Sequence, residues 1–308
     1  MDDWKTGIED AAHRILGHVV RTPAVTLDAF GLGYPVEVKL EQLQHTGTFK
    51  ARGAFNTLLA SEVPAAGVVA ASGGNHGAAA AFAAKALGHP AHIFVPEMAG
   101  PSKIGLIRRT GAELTVVEGQ YANALDAAKA HEEQSGAMQI HAYDAPLTVA
   151  GQGTLMREWE KQGLQADTVL IAVGGGGLIA GAMAWLQGRR KVVAVEPATS
   201  RALNAALEAG APVDVSVSGV AANALGARRI GSICFDLAKE TAVTSVLVDD
   251  DAITAAQLAL WRNCRQLVEP AGATALAALT SGAYRPEKGE RVAVLVCGAN
   301  IAPDPFLH

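Results

Sequence analysis

The chain has 308 residues, of which 50% are hydrophobic and 18% are charged, and its formal net charge is -5 at pH 7. This composition is typical of a globular protein with a large core, and the lack of a basic stripe argues against nucleic-acid binding. Cys234, Cys264 and Cys297 are far apart and odd in number, which favours neither a disulfide framework nor a cysteine zinc site. The acidic, polar residues 1–5 contain no apolar signal segment, so we expect a cytoplasmic protein without a membrane span.

Short apolar runs alternate with helical patterns along the chain. The predicted strands are residues 36–40, 68–71, 91–95, 113–117, 169–173, 192–195 and 292–296. Residues 122–134 and 148–161 have helical patterns and lie between them. The alternation predicts α/β architecture with mainly parallel sheets. The weakly patterned residues 210–231 are expected to form loops that border a site.

Two segments in the first quarter of the chain carry candidate functional residues. Residues 41–52 read EQLQHTGTFKAR and place Lys50 at a predicted helix start, where most lysines are solvated surface residues. Residues 72–77 read SGGNHG between a strand and an alanine-rich helix. This turn brings backbone N–H groups and the Asn75 amide to one point, suited to an anion or a phenolate-type oxygen. An ordinary turn with Asn75 as the helix cap has the same pattern.

Two later segments add a glycine loop and a thiol. Gly174, Gly175, Gly176 and Gly177 lie between a buried-strand pattern and an apolar helix. Four glycines let the backbone approach a phosphate closely, and the helix amino terminus favours its negative charge. Cys297 follows the last predicted strand, at the end where open parallel sheets bind ligands, although a small buried cysteine has the same pattern.

These four segments, in this order, resemble the fold-type II pyridoxal-phosphate (PLP) enzymes, specifically the serine/threonine dehydratase and serine racemase family. The resemblance covers nearly the whole chain and includes three further motifs, at residues 150–154, 195–197 and 269–273. It implies the tryptophan synthase β-like fold, in which two open, mainly parallel α/β domains enclose the site in a cleft. Residues 1–66 and 146–308 would form the large PLP-binding domain, and residues 67–145 a small inserted domain.

The resemblance also implies roles for individual residues. Lys50 would hold the cofactor as an imine and act as the base at the substrate Cα. The cofactor-binding residues would be Lys50, Phe49 and Gly219 against the ring faces, Asn75 at the ring hydroxyl, Cys297 at the pyridine nitrogen, and Gly174, Gly175, Gly176 and Gly177 at the phosphate. The substrate carboxylate would bind to Ser72, Gly73, Gly74, Asn75 and His76, with no catalytic role for His76.

The implied reaction is β-elimination from a hydroxy amino acid, L-threonine or L-serine, to a 2-oxo acid and ammonia. A neutral lysine amine in a desolvated pocket is a competent base. A thiol at the ring nitrogen is a weak, neutral partner, which limits delocalisation into the ring and favours loss of a β-leaving group. The resemblance further implies a homodimer. Metal-activated members of the family that this chain resembles place a carboxylate near Glu196 on the following helix. Residues 200–202 supply none, so we expect no metal site.

Other PLP activities remain open at this point. Racemases that resemble this chain have a serine where Gly73 stands, so racemase or hydroxyaspartate racemase-dehydratase activity should be weak or absent. A β-replacement enzyme resembling cysteine synthase would use the same lysine. A PLP-binding protein without turnover would release no oxo acid.

A different class of enzyme is also considered. Gly175-x-Gly177-x-x-Ala180 follows a strand and opens a helix, and Glu196 ends the next predicted strand. This spacing resembles a dinucleotide fingerprint and predicts a nicotinamide-dependent oxidoreductase. That interpretation leaves Lys50 without a role.

Overall fold

The computed structural model describes residues 2–119 and 121–302. The strands are β1 (Ala24–Leu27), β2 (Val36–Leu40), β3 (Val68–Ala71), β4 (Ala91–Pro96), β5 (Glu113–Val117), β6 (Met138–Gln139), β7 (Thr168–Ala172), β8 (Lys191–Pro197), β9 (Thr244–Val248) and β10 (Val292–Val296). The helices are α1 (Asp2–Arg14), α2 (Lys50–Leu59), α3 (Asn75–Ala86), α4 (Pro101–Arg108), α5 (Tyr121–Ser135), α6 (Pro146–Lys161), α7 (Gly177–Leu186), α8 (Ala202–Ala209), α9 (Ala222–Leu225), α10 (Ser232–Glu240), α11 (Asp250–Cys264) and α12 (Pro270–Thr280).

The strands form two sheets. The larger has six strands in the order β1-β2-β10-β7-β8-β9, and the smaller has four in the order β5-β4-β3-β6. Strand β1 pairs with β2 in antiparallel orientation, and the other described strand pairs are parallel. The predicted α/β architecture with mainly parallel sheets is confirmed.

The register of the central strands positions the site. Strand β10 lies between β2 and β7, with Val296 opposite Leu40 and Val294 opposite Leu170. The carboxyl ends of the three parallel strands therefore meet at one edge of the sheet. The chain leaves that edge towards the three segments that carry Lys50, the glycine loop and Cys297. Ligands bind at this edge in open α/β sheets.

Small side chains bring the helices of the smaller sheet close together. Helix α3 is rich in alanine, and most of its alanines are fully buried against Ile93 and Ile107. A helix that is apolar on all sides is stable only when it is enclosed. Residues Ala51, Phe55 and Leu58 of α2 share this core.

The smaller sheet extends from Val68 to Gln139, within the segment predicted as an inserted domain. The domain limits at residues 67 and 145 stay a prediction, because α2 contributes to the same core from outside those limits. Among the described residues, no helix combines the length and the apolar character needed to cross a bilayer.

The seven predicted strands are all present, and their ends differ from the prediction by at most two residues. Three short strands were not predicted: β1, β6 and β9. Strand β6 has only two residues, and Thr244 and Ser245 interrupt the apolar pattern of β9. The weakly patterned residues 210–231 are mostly loop, with the single short helix α9.

A buried ionic cluster supports α2 from behind. Arg52 donates to both carboxylate oxygens of Glu41, at 2.5 and 3.1 Å, and to Glu158 at 3.1 Å. The Lys39 ammonium donates to Glu158 at 2.6 Å and to the Thr22 carbonyl at 2.7 Å. Arg52 and Lys39 are almost fully buried, so each charge depends on these partners.

Replacing Arg52 with methionine should lower the free energy of unfolding by about 3–5 kcal/mol, because Glu41 would be left as an unpaired buried charge. Urea denaturation followed by circular dichroism measures the change. The control is Arg201→Ala, which removes an exposed pair with Glu208 and should cost less than about 1 kcal/mol. If Arg52→Met lowered the free energy of unfolding as little as Arg201→Ala does, the buried cluster would not stabilise the fold.

Candidate active site

Hydrogen bonds attach the Lys50 segment to the end of β10. The Phe49 N–H donates to the Cys297 carbonyl at 3.2 Å, and Thr48 forms an isolated antiparallel bridge with Gly298. Phe49 is the residue before α2, and Lys50 is the first residue of the helix. This arrangement brings Lys50 and Cys297, which are far apart in sequence, to the same point.

The Lys50 ammonium has few polar partners. Its Nζ donates to the Ala142 carbonyl at 2.7 Å and lies 5.1 Å from the centre of the Phe49 ring. Burial lowers the pKa of Lys50 from 10.5 to about 8, and the nearby Cys297 opposes this shift. An amine with this pKa is present in both protonation states near neutral pH, as a nucleophile or a base requires.

The glycine loop connects β7 to α7. Gly176 caps α7 with φ at +96°, a left-handed conformation that disfavours other residues. A Cβ atom on Gly175 would lie 2.4 Å from the Tyr143 ring, so the loop backbone lies directly against that side chain. The first N–H groups of α7 have no partners within the helix and favour an anion.

A cavity joins these elements. The predicted site residues that line it are Phe49, Lys50, Asn75, Gly174, Gly175, Gly176, Gly177 and Cys297. The lining also includes residues to which the sequence assigned no role: Tyr143, Ala172, Leu178, Ile179, Ala224, Leu225, Glu269 and Ala271. The structure therefore brings most of the predicted cofactor residues into one place.

Asn75 belongs to a partly buried polar cluster at the start of α3. Its amide nitrogen donates to Glu269 at 2.7 Å, and its amide oxygen accepts from Asn300 at 2.9 Å. Burial raises the pKa of Glu269 to about 7, although the Asn75 hydrogen bond and the Lys103 charge lower it. Glu269 therefore titrates near neutral pH. The sequence analysis included Glu269 in the motif at residues 269–273 but assigned it no role.

The Cys297 thiol is neutral. Its sulfur donates to the Ala271 carbonyl at 3.3 Å, and burial is the main cause that raises the pKa of the thiol. A thiolate in this position would be desolvated. Cys297 can therefore contact a heterocycle without placing a charge beside it.

Some predicted residues lie outside the cavity lining. Ser72, Gly73, Gly74 and His76 are in the adjacent turn before or within the start of α3. The His76 Nε2–H donates to the Ile140 carbonyl at 2.8 Å, and burial lowers the pKa of His76 to about 3. His76 is therefore a neutral residue that joins the turn to the segment directly after β6. Substrate binding by this turn stays a prediction.

Gly219 also lies outside the lining. It has φ at +86°, and a Cβ atom there would meet the Thr199 hydroxyl at 2.3 Å and the Asp250 carboxylate at 2.6 Å. Its predicted contact with a cofactor ring stays a prediction.

Glu196 does not have the environment of a ribose-binding acid. It is fully buried and accepts hydrogen bonds from the backbone N–H groups of Leu203 and Asn204, each at 2.8 Å. These contacts place its carboxylate at the amino end of α8, where the helix dipole favours it. Among the described residues, no group of histidine, cysteine or acidic side chains is arranged to hold a metal ion.

Residues 15–298 match the model of the family described as "Pyridoxal-phosphate dependent enzyme". The match includes the whole cavity lining. The chain belongs to this family. PLP is accordingly its cofactor, and the predicted resemblance and fold type are confirmed.

Relatives within the family have names that describe β-eliminating enzymes. The chain is 39% identical to a phenylserine dehydratase of Ralstonia pickettii, over 87% of this chain and 83% of that protein. It is 35% identical to an L-threonine ammonia-lyase of Geobacter sulfurreducens, over 96% of this chain and 75% of that protein. The structure is similar to maize serine racemase, with a TM-score of 0.91, 29% identity and coverage of 96% and 93% of the two chains.

The cavity fits PLP. The backbone at Gly175 and Gly176 packs too closely against Tyr143 and Cys234 to carry a side chain, and the α7 amino terminus supplies N–H donors for a phosphate. Lys50 supplies an amine whose pKa allows imine formation, and Cys297 offers a neutral contact for the ring nitrogen. Each of these features suits a different part of the cofactor.

Replacing Gly175 with alanine should weaken PLP binding about tenfold or more, because the new methyl group would displace the Tyr143 ring or the loop. Titration of the apo-protein with PLP, followed by absorbance, measures the affinity. Gly7→Ala is the control, since a Cβ there meets no atom within 4 Å. The penalty should shrink in a Tyr143→Ala background, and an unchanged penalty would contradict the proposed steric cause.

The rate of PLP uptake by the apo-protein should rise with pH up to about 8 and then level off, because the neutral Lys50 amine is the attacking form. An ordinary lysine would give a rate that still increases towards about pH 10. Stopped-flow absorbance across this range tests the prediction. A rate that climbs steadily through pH 10 would show that the amine is not desolvated.

Proposed function

We propose that this protein catalyses PLP-dependent β-elimination from a hydroxy amino acid, L-threonine or L-serine, and releases a 2-oxo acid and ammonia. The observation that carries the proposal is the Lys50 amine, with a pKa of about 8, in one cavity with a glycine loop and a neutral thiol. The names of the relatives, phenylserine dehydratase and L-threonine ammonia-lyase, support this reaction type.

Lys50 would move the proton. PLP, when bound, supplies a conjugated electron sink for the bond that breaks at Cα. With PLP and substrate bound, the Lys50 amine would be available as the base for the Cα proton. Burial keeps a substantial fraction of it neutral near pH 8, so it can accept the Cα proton. The Ala142 carbonyl accepts a hydrogen bond from Nζ and holds the amine in place.

Cys297 would direct the reaction towards elimination. A carboxylate at the ring nitrogen would keep that nitrogen protonated, whereas the buried thiol brings no charge. A ring nitrogen that meets only this thiol would withdraw electrons from Cα less strongly, which favours loss of a β-leaving group. Loss of the Cα proton and the β-hydroxyl, together one water, would yield an enamine. The enamine tautomerises to an imine, which takes up one water to give the oxo acid and ammonia.

Gly73 disfavours the racemase alternative. Racemases that resemble this chain have a serine at this position, and a Cβ atom on Gly73 would lie 2.4 Å from the Ala99 methyl carbon. Val95 lies 3.1 Å from the same point. The chain therefore lacks this serine, and a serine side chain at position 73 would fit only if Ala99 and Val95 moved.

We also propose the finer assignments that the family resemblance implies. The protein is a cytoplasmic homodimer, and residues 67–145 form an inserted domain whose turn at residues 72–76 closes over the substrate. Light scattering of the purified holoenzyme tests the dimer, since a monomer of 31.7 kDa would have half the expected mass.

The reaction is tested by following 2-oxo acid release and visible absorbance with L-serine, L-threonine, phenylserine and 3-hydroxyaspartate. Wild type should be yellow and release oxo acid from serine or threonine, and Lys50→Ala should lose both properties. Lys129→Ala, which changes an exposed lysine of α5, is the control and should behave as wild type. Product only from O-acetylserine with sulfide would instead indicate β-replacement, and a yellow protein without any product would contradict the proposed reaction.

A further inference from the structure

Lys103 is a buried cation that the proposed reaction does not use. It lies on α4, and only 7% of its surface is exposed. Its ammonium donates one described hydrogen bond, to the Asn223 carbonyl at 2.8 Å. An ammonium group has three N–H donors, so two remain for another partner.

The Lys103 ammonium has no anion in contact with it among the described ion pairs. Glu269 is close enough to interact electrostatically with it but is not one of its hydrogen-bond partners. A buried ammonium without a paired anion is costly, whereas Lys39 in the ionic cluster behind α2 has its carboxylate in contact. The environment of Lys103 therefore suits an anionic ligand.

The position of Lys103 indicates which anionic ligand it binds. A Cβ atom on Gly74 would lie 3.6 Å from the Lys103 Nζ, so the ammonium is beside the turn that begins α3. The same turn presents the first N–H groups of a twelve-residue helix. On the other side, Asn223 belongs to α9, whose Ala224 and Leu225 line the cavity.

We infer that Lys103 is a specificity-determining residue that binds the α-carboxylate of the substrate together with the turn at residues 72–76. This inference rests on the proposed function, since it takes an amino acid as the ligand. A carboxylate offers one oxygen to the helix N–H groups and one to the ammonium. The substrate then supplies the anion that Lys103 lacks.

The assignment has a consequence for substrate choice. An amino acid amide has the same shape as the acid but no negative charge, so it would leave the buried ammonium unpaired. Sites with buried polar groups reject ligands that cannot pair with them. The protein should therefore prefer amino acids strongly over their amides, and Lys103 should be the cause of this preference.

The test compares the binding of L-alanine and L-alaninamide to the holoenzyme, measured from changes in the visible spectrum of the cofactor. Alanine has no β-leaving group, so the titration does not depend on elimination. Wild type should bind the acid at least about tenfold more tightly than the amide, and Lys103→Met should lose most of this ratio. Lys103→Arg should retain it, and Lys129→Met is the control for loss of an exposed lysine.

A second neutral variant, Lys103→Gln, controls for misfolding of Lys103→Met. Lys103→Gln can still donate to the Asn223 carbonyl but carries no charge, so it should lose the acid-over-amide ratio as methionine does. With L-serine or L-threonine, both neutral variants should raise KM with a smaller effect on kcat. An acid-over-amide ratio in Lys103→Gln equal to that of wild type would overturn the assignment. If L-aspartate is titrated as well, weaker binding of L-aspartate alone would also overturn it, because Lys103 would then recognise a side-chain carboxylate. A holoenzyme that binds alanine through Lys103 but releases no oxo acid would contradict only the proposed reaction.

Discussion

The candidate active site depends on the attachment of the Lys50 segment to the end of the central strand β10. The hydrogen bond from the Phe49 N–H to the Cys297 carbonyl, together with the Thr48–Gly298 bridge, places the first residue of α2 beside the thiol. The parallel pairing of β10 with β7 brings the glycine loop to the same edge. Behind α2, the ion pairs of Arg52 resist any shift of this helix. The position of the reactive amine is thus set by backbone contacts and buried charges.

Buried ionisable groups serve two different purposes in this fold. In the cluster behind α2, each cation contacts a carboxylate, and the charges are compensated. Around the cavity, Lys50, Lys103 and Glu269 have no contacting opposite charge, and desolvation moves the pKa of each towards neutrality. Such groups are costly to the folded protein, which is typical of sites where ligands supply the missing partners. Paired buried charges thus stabilise the fold behind α2, whereas unpaired ionisable groups lie around the candidate active site.

Local patterns predicted much of this arrangement, and the residues that they missed have a common cause. The glycine loop, Asn75 and Cys297 stand at the ends of apolar runs, where a parallel sheet collects ligand-binding residues. Tyr143 and Lys103 belong to no such pattern, because Tyr143 contacts the glycine loop and Lys103 contacts the Gly74 turn from segments that are distant in sequence. Strand β6 was missed because two residues have no periodicity to detect. The resemblance also assigned a role to Gly219, which lies outside the cavity lining, and that role stays a prediction.

The sequence by itself determined the α/β class, the seven main strands, the family and the residues whose type limits their role, such as an amine, a thiol and a run of glycines. These features follow from periodicity and side-chain chemistry, which are local. Only the tertiary structure decided which charged groups are desolvated, which of them have partners, and which side chains fill the space beside a glycine. Those properties depend on contacts between distant segments. The pKa of Lys50 near 8, the isolation of the Lys103 ammonium and the closed space at Gly73 are of this kind.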